Sequence, residues 1–82
     1  KRLSELKVGE HAKIAYLTGD VIAEKLLMMG CLPGEDVSIS RTAPFGDPIA
    51  IHISGYLLSM RKKEAENIFV DSVVSLQSGS KN

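Results

Sequence analysis

The chain has a single cysteine and no tryptophan, and only two tyrosines and two phenylalanines among its 82 residues. One thiol makes no intramolecular disulfide, so the fold holds without a covalent staple, and a reducing cytoplasm is the expected setting. With so few aromatics, the core must be assembled from Val, Ile, Leu and Met. An excess of either charge is also absent, because ten basic and ten acidic residues cancel. Tight nucleic-acid binding draws much of its affinity from phosphate neutralisation, so no DNA or RNA partner is expected. The one basic run, Arg61-Lys62-Lys63, is followed at once by Glu64 and Glu66 and reads as the solvated start of a helix. Apolar runs such as Leu26-Leu27-Met28-Met29 are far shorter than the roughly 20 residues of a membrane span, so no direct membrane insertion is expected. No signal-peptide pattern follows Lys1.

What is present suits one small domain. The hydrophobic share is 44%, ordinary for a globular chain, although a domain this short buries only about 60% of the surface its unfolded form exposes. Leu3 and Leu6 sit three apart, as in one helical turn laid across an end of the fold. Residues 10–17 alternate as a strand, with Ala12, Ile14 and Tyr16 expected on one face and His11 and Lys13 on the other. Asp20 is placed to cap a helix over residues 21–29, whose Ile22, Leu26 and Met29 recur at i, i+4 and i+7. Gly30 ends that helix. Residues 36–42 form a second strand, with Val37 and Ile39 inward. Residues 43–48, with two prolines and a glycine, form a loop expected to join adjacent antiparallel strands as a long hairpin. Residues 49–54 are the clearest strand, with Ile49, Ile51 and Ile53 on one face. Gly55 turns the chain into a fourth strand over 56–60, a short helical turn follows, and residues 67–70 close the set.

The expected fold is therefore mainly β: a small five-stranded barrel with one inserted α-helix and a short N-terminal helical turn. Closure of the ring is expected to remove exposed strand edges. The domain is expected over residues 1–74, with a polar, disordered tail over 75–82.

Several linked motifs resemble the FeoA family, small cytoplasmic accessory proteins of bacterial ferrous iron uptake. They are Leu3-x-x-Leu6 followed by Gly9; Leu26-Leu27-Met28-Met29-Gly30-Cys31-Leu32-Pro33-Gly34; Ala43-Pro44-Phe45-Gly46-Asp47-Pro48; and Leu57-Leu58-Ser59-Met60-Arg61 followed by Glu64-Ala65 and Ile68. The resemblance runs from Leu3 to Asp71 and implies an SH3-like barrel. It also implies a partner, the membrane transporter FeoB with its cytoplasmic G-protein region, which would hold the domain at the inner membrane. The same fold is implied for the C-terminal domain of DtxR-type metal-dependent regulators, so an interaction module of that kind is the alternative, and a small iron-binding carrier is a third.

Chemistry-bearing residues are sparse. His11, His52, Cys31, Met28 and Met29 are the soft or borderline donors, and none shows metal-clamping spacing, so no transition-metal ligand set and no cofactor are assigned. Cys31 follows a helix C-terminus, where the dipole disfavours a thiolate. No nucleophile–base pair and no phosphate-binding loop can be found, and the domain is read as non-enzymatic. Protein binding is the favoured class. Leu17, Met28, Leu57 and Phe69 fall on the outward phase of their elements, and Phe45 sits at a loop tip between prolines. The expected partner-binding residues are Val21, Lys25, Met28, Phe45 and Asp47, and exposed apolar surface also makes self-association an expectation. Arg61 is expected to brace the neighbouring loop.

Overall fold

The fold was obtained as a computed structural model and is described for residues 1–75; the expected tail lies outside the described residues apart from Ser75, which ends the last strand. A 3-10 turn (Leu3–Glu5) is followed by β1 (Glu10–Leu17), α1 (Asp20–Met28), β2 (Asp36–Thr42), β3 (Ile49–Ile53), β4 (Tyr56–Met60), α2 (Lys62–Ala65) and β5 (Ile68–Ser75). The five strands make one antiparallel sheet in the order β4-β3-β2-β1-β5.

The alternation in β3 explains most of the core. Ile49, Ile51 and Ile53 are buried while His52 is exposed. Ile51 lies opposite Ile39 of β2 and Leu58 of β4, and Ile53 opposite Val37. Each fully buried isoleucine contributes about 1.5–3 kcal/mol. Leu3 and Leu6 close one end, both buried as the N-terminal spacing implies. The 3-10 turn is held by Glu5, whose Oε1 accepts the Arg2 N–H at 2.8 Å.

α1 begins one residue earlier than expected, and Asp20 does not cap it. Gly19, at φ +82°, occupies the cap position, and Asp20 is the first helical residue. The C-terminus follows expectation. Gly30 takes φ +98°, the Cys31 N–H donates to the Leu26 carbonyl at 3.0 Å, and the Gly30 N–H donates to that of Leu27 at 3.0 Å. This paired closure places Cys31 against Leu26, and both are fully buried. Ile22 and Met29 pack partly buried on the core, whereas Leu27 is left exposed.

Two expected side-chain directions are corrected by a bulge. Ile14 pairs with Val70 but Tyr16 with Phe69, so β1 carries one extra residue at Ala15. Side chains alternate strictly, and one inserted residue reverses every face beyond it. Tyr16 therefore faces outward, where its ring stacks on Phe69 with centroids 4.8 Å apart, and Leu17 turns inward against the core. β5 also runs further than the expected 67–70, with a second bulge opposite β1 where Ser72 adopts φ +55°.

The loop between β2 and β3 is the expected long hairpin. The two-residue Ser54-Gly55 turn between β3 and β4 has both φ angles positive, +51° and +85°, the mirror-image turn whose twist matches a hairpin. Hydrogen bonding does not close the ring. Among the described residues no ladder joins β4 to β5, and α2 links the two strands along the chain. The expectation that closure removes all edges is thus not met.

Candidate docking surface

Of the apolar side chains expected to be free, Met28, Phe45 and Leu57 are exposed, whereas Leu17 packs on the core and Phe69 is half-buried against Tyr16. Val21 is 82% exposed and Met28 85% on α1, and Phe45 at the hairpin tip is 98% exposed. The tip is ordered by its own backbone. The Ala43 N–H donates to the Pro48 carbonyl at 3.0 Å and the Gly46 N–H to that of Ala43 at 2.7 Å, with Gly46 at φ +85° and a cis Asp47–Pro48 bond. Among the described residues nothing covers Phe45.

Lys25 and Asp47, the two polar candidates, are engaged within the fold, and both converge on α2. Asp47 Oδ1 accepts the backbone N–H of Lys62, the first residue of α2, at 2.9 Å. Its carboxylate also lies 3.7 Å from Arg61 Nε, the bracing contact expected of Arg61. Lys25 Nζ donates to Glu64 Oε2 at 2.6 Å, while Glu64 Oε1 accepts the Arg61 N–H at 2.9 Å. The Glu64 pKa is lowered, first by the Lys25 hydrogen bond and then by the Arg61 N–H. Helix α2 thereby ties α1 to the hairpin loop. Glu64 was not singled out from the sequence. Its only local signal is the spacing Arg61-x-x-Glu64, in which a third-position glutamate reaches back to the cap N–H.

The metal donors do not gather. His11 and His52 both lie opposite Ser38, in a row across β1, β2 and β3, and they line a groove of about 260 Å³ with Glu35 and Asp36. Ser38, between the two larger side chains, is buried although it points away from the core. The neighbouring carboxylates are taken. Asp36 accepts from Lys13 Nζ at 2.7 Å, which lowers its pKa, and Glu35 accepts the Ser54 hydroxyl at 2.8 Å. Among the described residues no group of three or more His, Cys, Asp or Glu side chains is placed to hold a metal ion. Cys31 is fully buried, and burial, followed by the Glu64 charge, pushes its thiol pKa up.

Two further exposed apolar residues, Leu32 and Tyr56, had no clear signal in the sequence. The Tyr56 hydroxyl reaches α1's end, 2.8 Å from where a Cβ on Gly30 would stand. Among the described residues no helix is long and apolar enough to cross a membrane.

The FeoA domain family model matches residues 1–72. The chain belongs to the FeoA family. A fusion protein of Fe(2+) transport protein A and the Fe(2+) transporter FeoB from Porphyromonas gingivalis is 35% identical over 75 residues, which cover 90% of this FeoA chain and 9% of the fusion protein. The chain therefore spans only a small part of that relative's length. A FeoA-like protein from Clostridium acetobutylicum is 34% identical with a TM-score of 0.79, covering 92% of this chain and 85% of that one. The zinc complex of Stenotrophomonas maltophilia FeoA, described as an SH3 domain protein and a possible ferrous iron transport activating factor, is 27% identical with a TM-score of 0.76, covering 88% and 91% of the two chains. The FeoA fold seen here is accordingly SH3-like.

Proposed function

We propose that this FeoA domain is a non-enzymatic, cytoplasmic accessory of ferrous iron uptake that docks on the cytoplasmic G-protein region of a FeoB transporter. The observation that carries this reading is the fusion relative, in which a homologous domain shares one polypeptide with the transporter. A covalent link keeps two modules at high effective concentration, as expected for modules that meet. The proposed docking surface is formed by Val21, Lys25, Met28, Phe45 and Asp47. Val21, Met28 and Phe45 supply apolar anchors, and Lys25 and Asp47 hold α1 and the hairpin at a fixed separation through α2.

Calorimetric titration of the domain into the cytoplasmic part of its cognate FeoB, with and without a GTP analogue, tests this. Saturable binding is expected, weakened about tenfold or more by Met28→Glu and by Phe45→Ala. Wild-type affinity in both variants means that the surface lies elsewhere. No binding in either nucleotide state removes docking on that region.

A further inference from the structure

β4 ends the sheet, and its outer edge carries no partner strand among the described residues. The hairpin turn fixes which backbone groups that edge presents. In a two-residue hairpin the pair flanking the turn, Ile53 and Tyr56, exchanges both hydrogen bonds, and bonded and non-bonded pairs then alternate. Tyr56, Leu58 and Met60 thus bond to β3, while the N–H and C=O of Leu57 and Ser59 point to the open side.

This edge also lacks the usual protection. The strand reads Tyr-Leu-Leu-Ser-Met, with no charge, no proline and no bulge against β3, and Leu57 and Tyr56 are each 50% exposed. A groove of about 490 Å³ crosses from β2 over β3 to this strand, lined by Ile49, Ala50, Leu57, Leu58 and Ser59 and by the hairpin loop, with Arg41 as the one charged residue in it among the described residues. Arg41 makes no ion pair among the described residues. It lies opposite Ala50, which in turn lies opposite Ser59, so two small side chains separate the guanidinium's strand from the edge. An arginine left unpaired at the end of an apolar lane suits a carboxylate arriving on a hydrophobic segment.

We infer that the outer edge of β4 accepts an added strand: an extended apolar segment of the transporter partner, carrying a carboxylate that pairs with Arg41. The main chain of Leu57 and Ser59 supplies the hydrogen bonds, and long side chains on one face of the added strand reach over Ser59 toward the groove. The inference rests on docking to FeoB, and it names a second contact away from α1 and the hairpin tip.

The test titrates Arg41→Glu and Ser59→Pro variants into the cytoplasmic part of the cognate FeoB, beside Met28→Glu and Phe45→Ala. Proline at position 59 removes only an outward N–H that has no internal partner, so the fold should survive. Each of the two edge variants should bind about tenfold more weakly or worse, and the Arg41 effect should shrink with added salt. Amide exchange of the wild-type domain covers the case in which Ser59→Pro does not fold: the Leu57 and Ser59 amides should exchange fast in the free domain and slowly in the complex. Loss of binding in the Met28 and Phe45 variants, with wild-type binding by both edge variants, overturns the inference and leaves the docking reading standing. Fast exchange of both amides in the complex also overturns the inference. If the wild-type domain does not bind, the docking reading and the inference fall together. A wild-type dimer that Ser59→Pro makes monomeric, seen by light scattering, assigns the edge to a second copy of the chain and overturns the inference as well.

Discussion

The two ends of the sheet are treated differently. At β5 the chain covers its own edge. Arg2 bridges to Phe69, the Val70 N–H donates to the Lys1 carbonyl at 2.8 Å, and the Arg2 guanidinium lies 5.3 Å from the centre of the Phe69 ring. Beyond that cover, Asp71 adds an exposed charge and the bulge at Ser72 bends the strand. At β4, among the described residues, there is neither cover nor charge nor bulge. Unpaired strand edges invite pairing with other chains, and folds usually blunt them. One edge here is blunted three ways while the other stays apolar and straight. The contrast shows that edge protection is a local choice of residues and not a property of the barrel.

The comparison can be broken or sharpened by mutation. The largest effect is expected from Ile51→Ala at the centre of β3, which removes a fully buried side chain and should cost about 2–5 kcal/mol. Because β3 supports both ends, amide exchange should rise together in β4 and β5; a rise in β4 alone would show that the ends are independent units. Gly30→Ala should act on the β4 side only. It forces an L-residue to φ +98° and sets a Cβ 2.8 Å from the Tyr56 hydroxyl, for a loss of about 1–2 kcal/mol in urea unfolding. An unchanged midpoint would mean that Tyr56 swings away and the helix end relaxes. Arg2→Ala should act on the β5 side only, costing about 0.5–1 kcal/mol and speeding exchange at Phe69 and Val70 with no change in β4.

The smallest effect concerns the α2 seam between the two edges. The Glu64 pKa is lowered in the fold, so its ionised form stabilises the native state above the ordinary carboxylate range, and that contribution disappears as pH falls through the depressed value. Glu64→Gln should therefore be less stable near neutrality yet lose less between neutral pH and about pH 3. Parallel acid profiles for the two proteins would show that the Lys25 contact contributes nothing to folding.

How much of this could be read from the sequence differs from element to element. The isoleucine alternation of β3, the proline-bounded hairpin and the Gly30 helix stop were legible because each signal lies within a few residues. Met28 was legible for the same reason, as an apolar side chain on an outward helical phase, and Phe45 as an aromatic at a loop tip between prolines. The bulge at Ala15 was not, since a small residue in an apolar strand looks the same with or without an inserted step, and it reversed Tyr16 and Leu17. The ties from Lys25 to Glu64 and from Asp47 to Lys62 join residues 39 and 15 apart, and no local pattern announces them. The adjacency of β2, β3 and β4 was legible from their hairpins, but the groove beside Arg41 was not, because it depends on which side chains share a face after the register shift between Ile39 and Arg41.

The paired closure at the end of α1 has a practical corollary. It holds the chain's one thiol at full burial, against a leucine that is equally inaccessible. A thiol-specific reagent can therefore reach Cys31 only when the core opens. Under conditions where closing outruns modification, the labelling rate reports the equilibrium population of opened molecules, so the domain carries its own gauge of conformational stability. No probe needs to be introduced, and a perturbation at either edge of the sheet can be read from the same atom.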